Sequence, residues 1–561
     1  MRRSHEPTLT GMVVERARRA PDDLAIVYIG EDGVQQRITA QAVHHDAGLA
    51  ARALADEGVE PGDCTLLAMR YSRSLIAAWF GALYRGALPS VLPYLTERSD
   101  PATYAARVRG FVGEAGARTV ITAPEVVEHL RPLVAPLGCQ VISSEQVHLD
   151  AAAEPLSPVQ RRADDPAWLQ FTSGTTGGRK GVVVSHAAVL DFLDAYCSTL
   201  PIHANDVMIT WLPLYHDMGL VSGLALPLSM EIPTVMMSPA YWVRNPVVLM
   251  RAIHEFRGTL CNMPNFGFDH CTRSIRDRDL AGIDLSSLRR AGCGGEPVRH
   301  ATFERFRQRF SAYGLRESVF MVGYGMAENV MTVTQTRSDR MRVEWIARDE
   351  LQATGRAVPA TPESAGAIAV VSNGPPLNGT EVRIVDEQGT TLPERRLGEI
   401  SVRSAHMMSG YYRLPELSAV ALRDGWIRSG DLGFLVDGEL FICGRKKDLI
   451  IVAGHNLHAE EVEMLAESVT GIQPGRAVAF GVKDERLGTE RPVVVCELQL
   501  DITGDDTRRV DRELRRLVLQ QLDVALGDVR FVAKGWIIKT SSGKLARAAN
   551  RDKYLADVEP T

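Results

Sequence analysis

The stretch AWLQFTSGTTGGRKGVVVS, residues 167–185, sets a loop of glycines and hydroxyl residues between two apolar runs. Apolar runs of this length, rich in β-branched and aromatic residues, predict strands, and Ser185 is a good cap for a helix that follows. Glycine lets a backbone approach an anion closely, consecutive N–H groups form an anion-binding nest, and Lys180 adds a positive charge. The stretch therefore predicts a loop between two strands that holds a polyphosphate.

The loop differs from the common phosphate-binding motifs. Lys180 is followed by glycine, where a Walker A loop carries serine or threonine, and the spacing of a dinucleotide fingerprint is also absent. A flexible surface loop rich in turn-forming residues is the alternative interpretation of the same residues. The candidate phosphate-binding residues are Thr172, Ser173, Gly174, Thr175, Thr176 and Lys180.

Length and composition indicate a large globular protein. A chain of 561 residues exceeds the size at which one hydrophobic core usually stops growing, so at least two domains are expected. The 63 cationic and 69 anionic residues are spread along the chain and leave a formal charge of -6, which disfavours nucleic acid as a partner. The eight cysteines form no C-x-x-C pair, which favours reduced thiols over a zinc site or a disulfide framework.

The most apolar segment, GLALPLSMEIPTVMM, is interrupted by Pro227, Glu231 and Pro233. No apolar segment follows the arginines near the N-terminus. The sequence thus predicts neither an export signal nor a membrane span, and a cytoplasmic location is expected.

The order of the apolar runs predicts an α/β fold. Runs such as TLLAM, GVVVS and DVMITWL alternate with helical patterns such as SLIAAWFGALYRGA, which favours a largely parallel sheet. After about residue 380 the strands are closely spaced, with Asp437-Gly438 at a hairpin turn, which predicts an antiparallel subdomain. We expect domains over residues 1–446 and 447–561, and an unusually long loop at about 337–375.

Four further motifs accompany the glycine-rich loop: GYGMAE (323–328), SGDLG (429–433), GRKKD (444–448) and TSSGK (540–544). Together they resemble, in order and over nearly the whole chain, the adenylate-forming superfamily of acyl-CoA synthetases, nonribosomal peptide synthetase adenylation domains and luciferases. The stretch TWLPLYHDMGLV, residues 210–221, is similar to the fatty acyl-AMP ligase branch, which serves lipid and polyketide biosynthesis. The resemblance implies a large N-terminal domain with mixed and parallel sheets and a distorted antiparallel subdomain, followed by a small, mobile α+β domain.

The resemblance also implies an activity. Such enzymes use ATP and Mg²⁺ to convert a medium- or long-chain fatty acid to acyl-AMP, and pass the acyl group to the phosphopantetheine thiol of an acyl carrier protein. By the same resemblance, Glu328 binds Mg²⁺ and Lys544, on its flexible turn, is the catalytic cation that bridges the carboxylate and the α-phosphate. An ordinary helix-start glutamate and an exposed tail lysine are the alternatives.

The nucleotide site is assigned through the same motifs. Tyr324 would pack on adenine and Asp431 would accept the ribose hydroxyls, while Arg445 would reach the ribose or phosphates and Asp448 would be the hinge between the domains. Ala327 stands where many relatives carry a threonine that contacts the α-phosphate, so that contact is not expected. The remaining residues implied at the nucleotide are Gly294, Gly295, Glu296, Pro297, Gly323, Gly325, Met326 and Ala327.

An acyl pocket is expected at His216, Asp217, Met218 and Gly219. His216 and Asp217 could form an acid–base pair, but a carboxylate substrate needs no deprotonation, so we assign them to the pocket wall. The methionines that follow, Met230, Met236 and Met237, suit a pliable alkyl slot, and core packing is the equal alternative.

Three hypotheses remain for the whole chain. The long segment at 337–375 resembles an insertion typical of the ligase branch and favours a carrier protein as acceptor. An acyl-CoA synthetase is the alternative, and a nucleotide-binding protein without chemistry is a third. A cationic helix face could steer an acidic carrier protein, or its arginines could simply pair with Asp511 and Glu513; these arginines are Arg508, Arg509, Arg512, Arg515 and Arg516.

Overall fold

The computed structural model describes residues 6–96, 100–147, 153–172, 180–337, 341–452, 455–484, 489–499, 504–522, 524–540 and 543–558. The helices are α1 Leu9–Arg19, α2 Ala40–Asp56, α3 Arg73–Tyr84, α4 Pro101–Ala115, α5 Pro124–Val134, α6 His186–Thr199, α7 Leu226–Met230, α8 Pro239–Arg244, α9 Val247–Glu255, α10 Asn265–Ser274, α11 His300–Phe310, α12 Arg348–Thr354, α13 Pro415–Ala421, α14 Ala459–Ser468, α15 Asp505–Leu522 and α16 Arg547–Val558. None of the described helices has the length and apolar character that crossing a membrane requires.

The strands are β1 Leu24–Ile29, β2 Gln35–Thr39, β3 Cys64–Ala68, β4 Leu88–Val91, β5 Thr119–Thr122, β6 Gln140–Ser143, β7 Pro166–Phe171, β8 Gly181–Ser185, β9 Met208–Thr210, β10 Thr234–Met237, β11 Leu260–Met263, β12 Arg290–Cys293, β13 Phe320–Gly325, β14 Thr332–Gln335, β15 Val343–Ala347, β16 Ala367–Val371, β17 Thr380–Val385, β18 Gly398–Ser404, β19 Gly410–Tyr411, β20 Leu422–Arg423, β21 Trp426–Val436, β22 Glu439–Arg445, β23 Leu449–Val452, β24 His455–His458, β25 Ile472–Asp484, β26 Thr489–Leu498 and β27 Asp528–Val532.

Two parallel sheets organise the first half of the chain, as the alternating pattern predicted. The larger has the order β14-β13-β12-β11-β9-β10-β1-β2, and its neighbours are parallel except at the two edges. The smaller, β4-β3-β5-β6, is parallel throughout. Apolar helices such as α3, whose residues 75–84 are all buried, cover these sheets.

The glycine-rich stretch forms the end of a hairpin. Strands β7 and β8 pair antiparallel, with Phe171 opposite Gly181, and β19 joins the other edge of β8. Ser185 accepts a hydrogen bond from the Ala188 amide and caps α6, as expected. The two predicted strands are therefore confirmed, and they fix the ends of the loop, Thr172 and Lys180, on a rigid support.

The antiparallel texture expected after residue 380 is also confirmed. Strands β17, β18, β21 and β20 form one sheet, and β22 pairs with β21. Asp437 and Gly438, with φ of 51° and 76°, make the turn between β21 and β22. Beyond residue 448 the chain forms its own small sheets and hydrophobic cores, built around α14, α15 and the strands β25 to β27.

The expectation of a long loop at 337–375 is wrong. Strands β15 and β16 pair antiparallel in register from Val343–Val371 to Ala347–Ala367, with α12 between them. Gly355 ends this helix in the left-handed conformation, with φ of 66°. Both strands have only five residues and the helix between them has seven, and such short elements give weak sequence signals, so tertiary pairing makes the segment regular.

Candidate active site

A large cavity lies where the parallel sheet, the antiparallel subdomain and the C-terminal segment meet. Tyr324, Asp431 and Arg445 line it, together with Glu328 and Lys544. The C-terminal ends of parallel strands β12 and β13 carry much of the wall, which is where such sheets usually bind ligands. The cavity therefore brings together residues from four of the five motifs, and the ends of the fifth, Thr172 and Lys180, also line it.

Tyr324, Asp431 and Arg445 form one connected group. The Tyr324 hydroxyl donates a 2.7 Å hydrogen bond to Asp431 Oδ2, and Arg445 Nε lies 2.9 Å from Asp431 Oδ1. Asp431 and Arg445 face each other across the β21–β22 pair. Burial, followed by the Asp431 charge, raises the pKa of Tyr324 well above its usual value, so the phenol stays protonated and donates. The group can present a carboxylate, a guanidinium and an aromatic face to a nucleoside.

Lys180 and Glu328 are bridged by Tyr411, a residue that the motif analysis missed. The Lys180 ammonium lies 4.8 Å from the centre of the Tyr411 ring, and the Tyr411 hydroxyl donates a 2.9 Å hydrogen bond to Glu328 Oε1. The strand pairing of β19 with β8 places Tyr411 beside the loop end, where Thr172 N donates to Lys180 O. Ser173, Gly174, Thr175 and Thr176 lie outside the described residues.

Glu328 is followed by a tight turn that the sequence did not reveal. Val330 has φ of 64° and ψ of -56°, and the Met331 amide donates to the Asn329 carbonyl at 2.7 Å. A positive φ is costly for a β-branched residue, and such turns are rare and strained. The fully buried Asn329 holds the turn because it donates to Thr332 O and accepts from Ser404. The strain is stored beside the carboxylate of Glu328.

The glycines of the motifs allow close backbone approach. A Cβ atom on Gly294 would lie 2.9 Å from Gly323 O, and one on Gly325 would lie 1.9 Å from Met331 O. Gly295 has φ of 82°, which favours glycine directly. Pro297, Met326 and Ala327 also line the cavity, so the structure places every described nucleotide residue of the sequence analysis on its wall.

Lys544 reaches the cavity on a short turn. Thr540 N donates to Lys544 O at 2.7 Å, and the Phe266 ring lies 3.6 Å from a Cβ placed on Gly543. Burial, followed by repulsion from Arg445, lowers the pKa of Lys544, while the carboxylates of Asp217, Glu296 and Asp431 oppose this shift. The ammonium therefore stands in a buried site with both cations and anions around it.

Glu296 lies near this ammonium from the other side. Its Oε1 accepts a 2.6 Å hydrogen bond from the Phe266 amide. Burial raises the pKa of Glu296, whereas this hydrogen bond and the charges of Lys544 and Arg299 act in the opposite direction. Phe266 and Glu296 thus connect helix α10 to the turn that carries Lys544. The GGE sequence was recognised, but Phe266 lies in no motif and was missed.

His216 Nδ1 lies 2.6 Å from Asp217 Oδ1, and Met218 N also donates to Asp217 Oδ1. Burial alone would raise the pKa of Asp217, but the His216 and Lys544 charges hold it below its usual value. Gly219 packs behind them against Pro213. Met218 lines the cavity, whereas the other three methionines of the expected slot are in the hydrophobic cores, which favours the packing alternative for Met230, Met236 and Met237.

Asp448 is held by a single arginine. Arg547 Nη1 donates to Asp448 Oδ2 at 2.6 Å and also lies 2.9 Å from Glu460, while Nη2 lies 2.7 Å from Glu463. Burial raises the pKa of Glu463, against the effect of the Arg547 charge. Arg547 is the first residue of α16 and follows Lys544 by three residues, so this short stretch connects the proposed hinge residue Asp448 to the cavity.

Among the residues that the structure describes, two ion pairs connect the C-terminal segment to the rest of the chain. Arg299 Nη1 lies 2.6 Å from Glu467 Oε2. Arg348, at the start of α12 in the segment 337–375, lies 3.1 Å from Glu461 and donates to the Gln521 carbonyl. Arg348 is 7% exposed, so this contact is largely removed from solvent screening.

Metal binding at the cavity would rest on Glu328. Within the ranges that the structure describes, no three His, Cys, Asp or Glu side chains form a group that could hold a metal ion. Mg²⁺ is commonly bound through one or two carboxylates together with substrate phosphates and water. A lone carboxylate next to the phosphate-loop end at Lys180 therefore fits Mg²⁺ bound with a polyphosphate, and it does not fit a metal held by protein alone.

Comparison with known proteins gives a consistent result. The model of the family described as AMP-binding enzyme matches residues 13–412. The medium-chain-fatty-acid–[acyl-carrier-protein] ligase JamA of Moorena producens is 33% identical over 531 residues, covering 90% of this chain and 88% of that protein. The long-chain-fatty-acid–AMP ligase FadD26 of Mycobacterium tuberculosis is 30% identical over 582 residues, covering 98% and 97%.

Solved structures show the same similarity. A structure from a study of fatty acyl-adenylate ligases of E. coli and L. pneumophila superimposes with a TM-score of 0.89. It is 26% identical, and the alignment covers 99% of both chains. The α/β architecture and the element order are therefore those of an adenylate-forming ligase.

Proposed function

The chain belongs to the AMP-binding enzyme family, and we propose that it converts a medium- or long-chain fatty acid and ATP to acyl-AMP and pyrophosphate. It then transfers the acyl group to the phosphopantetheine thiol of an acyl carrier protein. The observation that carries the proposal is the cavity in which Lys544 meets Tyr324, Asp431 and Glu328. The names of JamA and FadD26 describe ligases that join fatty acids to a carrier protein or to AMP, which supports the same chemistry.

The first step needs no general base. A carboxylate oxygen of the fatty acid attacks the α-phosphorus, the bond from this phosphorus to the bridging oxygen breaks, and pyrophosphate leaves. Negative charge accumulates on the α-phosphoryl group, and a buried ammonium there stabilises it strongly. We assign this role to Lys544, whose surroundings include Arg445 and the counter-charges of Asp217 and Glu296.

Nucleotide binding is assigned to the residues around Asp431. Tyr324 would contact adenine, the carboxylate of Asp431 would accept the ribose hydroxyls, and Arg445 would hold the ribose or phosphates. The hydrogen bonds that Tyr324 and Arg445 make with Asp431 fix its orientation before nucleotide arrives. A carboxylate oxygen has two acceptor sites, so each oxygen can still accept a ribose hydroxyl.

Phosphate binding is assigned to the hairpin loop from Thr172 to Lys180, with Glu328 as the protein ligand of Mg²⁺. When bound, Mg²⁺ would supply positive charge to the β- and γ-phosphates. Tyr411 contacts both groups, the carboxylate of Glu328 through its hydroxyl and the ammonium of Lys180 through its ring. The chain's own contribution is thus to orient both charges toward the same side of the cavity.

The second step requires a different arrangement. The thiol sulfur must reach the acyl carbonyl carbon and form the thioester bond, while the bond from this carbon to the phosphate oxygen of AMP breaks and AMP leaves. The thiol proton passes to water or to a nearby base. We assign this change to a rotation of the C-terminal domain, residues 447–561, against residues 1–446 about Asp448. The ion pairs Arg299–Glu467 and Arg348–Glu461 hold the arrangement seen in the structure, so they would break in the rotation.

The acceptor is assigned from the inserted segment and from JamA. Arg348 in the segment contacts the C-terminal part, which supports a role of the insertion in limiting the arrangement that free CoA needs. The arginine face of α15 supports the assignment less, because Arg515 pairs with Asp511 and Arg509 lies near Glu513. An acyl-CoA synthetase remains the second candidate, since the same first step serves both acceptors.

One experiment tests the proposal. The purified protein is given ATP, Mg²⁺ and a series of fatty acids, and pyrophosphate release is measured with CoA or a phosphopantetheinylated carrier protein added. We expect acyl-AMP to accumulate, little acyl-CoA to form, and the carrier protein to be loaded. Rapid and stoichiometric acyl-CoA formation would favour the synthetase, and no pyrophosphate release with any carboxylic acid would refute the activity itself.

A further inference from the structure

Two amide side chains flank a glycine-floored slot on the central sheet. Asn262 on β11 is in register with Gly292 on β12, and Gly323 on β13 is in register with Gln335 on β14. Gly292 pairs with Met321, two residues before Gly323, so all of these side chains point to the same face of the sheet. All four residues line the cavity. The strand order β14-β13-β12-β11 places the two amides at the sides and the two glycines between them.

Neither Gly292 nor Gly323 is among the described residues with a positive φ, so the backbone conformation does not demand glycine at these positions. The lack of space for a side chain does. A Cβ on Gly292 would lie 2.1 Å from Asn262 Oδ1, and a Cβ on Gly323 would lie 2.5 Å from Gln335 Oε1. Any other residue would therefore fill the slot or displace the amides. The amide oxygens are the atoms that overhang the slot on both sides.

Both amides are available to a ligand. Gln335 is 6% exposed, and none of the described residues hydrogen-bonds its side chain. The Asn262 side chain hydrogen-bonds the phenol of the buried Tyr196. Burial is the main cause that raises the pKa of this phenol to about 12. Tyr196 thus holds the Asn262 amide in place while Oδ1 stays over Gly292. Both amides face the cavity. An occupant that removed these oxygens from water without hydrogen-bonding them would incur a cost, so an occupant that can hydrogen-bond them is favoured.

The slot adjoins the proposed nucleotide and acyl sites. Gly323 directly precedes Tyr324 in the chain. A Cβ on the nearby Gly295 would lie 3.6 Å from Met218 Sδ and 3.9 Å from His216 Cε1. The two glycines, Lys544 and Met218 all line the same cavity, so an acyl chain bound there can lie over the glycine floor.

We propose that this slot selects fatty acids that carry a hydroxyl group on the chain. The inference rests on the proposed function and names its substrate class. The amide oxygens are the atoms nearest the two glycines and they accept hydrogen bonds, so a hydroxyl, which can donate to them, fits this slot better than a keto group, which only accepts. A plain alkyl chain would leave the Gln335 amide and the Asn262 Oδ1 atom desolvated, with the Tyr196 phenol still bonded to Asn262, and sites built for a hydroxyl discriminate strongly against the analogue that lacks it.

The test compares acids of one length. Pyrophosphate release is measured with decanoic acid, with its monohydroxylated derivatives substituted on the second, third or fourth carbon, and with the corresponding keto acids. We expect kcat/KM for at least one hydroxy acid to exceed that for decanoic acid by roughly tenfold or more. Equal values for all the acids, or a preference for a keto acid, would overturn the slot proposal and leave the proposed function standing. Failure of every acid to release pyrophosphate would refute both.

Variants locate the preference. Gln335→Met keeps the length of the side chain and removes its polar atoms, so it should lower the preference for the hydroxy acid by roughly threefold or more and improve decanoic acid. Asn262→Leu should act in the same direction. Gln308→Met, on the exposed face of α11, is the matched control and should change nothing. Thermal melting checks folding of each variant; an unchanged preference in a folded Gln335→Met protein would contradict the role of this amide.

Discussion

The Tyr411 hydroxyl donates a 2.9 Å hydrogen bond to Glu328 Oε1, and the ring of the same residue lies 4.8 Å from Lys180 Nζ. One side chain thus contacts both the end of the phosphate loop and the carboxylate proposed to bind Mg²⁺. Burial, followed by the Glu328 charge, raises the pKa of Tyr411, so its proton remains available to the carboxylate. Tyr411 is 8% exposed, which limits competition from water.

Tyr411→Phe and Tyr411→Leu should separate the two contacts. Phenylalanine keeps the ring under Lys180 but loses the charge-assisted hydrogen bond, worth about 1.5–3 kcal/mol, so apparent affinity for MgATP should fall by roughly tenfold or more. Leucine also loses the cation–π contact, worth about 0.5–1 kcal/mol, and should bind roughly threefold more weakly again. Titrations of Mg²⁺ at fixed ATP measure both. Identical curves for the wild type and Tyr411→Phe would exclude a role in positioning Glu328.

Lys544→Ala should abolish acyl-AMP formation while sparing ATP binding. The buried ammonium stabilises charge that develops only in the transition state, so pyrophosphate release should fall by roughly a hundredfold or more. The residues proposed to bind the nucleotide, among them Asp431, lie outside the turn that carries Lys544, so the ATP dissociation constant should change by less than about threefold. Lys534→Ala, at an exposed position ten residues earlier, is the control. Pyrophosphate release near the wild-type rate would refute the catalytic assignment.

Asp217→Asn should move the alkaline limb of the pH profile to lower pH. The proposed active form of Lys544 is protonated, and burial already lowers its pKa, so adenylation falls as pH rises through this lowered value. Asp217 opposes the shift, and its neutralisation therefore lowers the pKa of Lys544 further. Glu296→Gln should act in the same direction, whereas Glu416→Gln, on the exposed helix α13, should not. A limb that stays in place, or moves to higher pH, would disprove the electrostatic link.

Arg348→Met should weaken the contact between the C-terminal segment and residues 337–375. The Arg348–Glu461 ion pair is largely buried, and removing one partner leaves the other charge unpaired. The arrangement of the C-terminal segment against residues 1–446 in this structure should therefore lose stability. We expect acyl-AMP formation to slow by roughly threefold to tenfold and transfer to CoA to rise. Glu461→Gln should reproduce the effect and the double variant should not add to it. Strictly additive losses with no change in acceptor would argue against a latch at this pair.

Residues close in sequence were largely predictable. The strands β7 and β8, the Ser185 cap and the Asp437-Gly438 turn follow from local patterns, and the resemblance carried by the motifs is confirmed by the AMP-binding enzyme model. The segment 337–375 was not predictable as a paired hairpin, because β15 and β16 are stabilised by each other and by β22 rather than by local propensity.

The sequence by itself determined the family, the α/β class and the motif residues such as Lys544 and Asp431, because these depend on local order along the chain. Only the tertiary structure decided how they are joined. Tyr411 meets Glu328 because β19 pairs with β8, and Asn262 and Gln335 flank two glycines because four strands lie side by side. Strand pairing and side-chain packing act between residues far apart in sequence, and no local pattern encodes which residues they bring together.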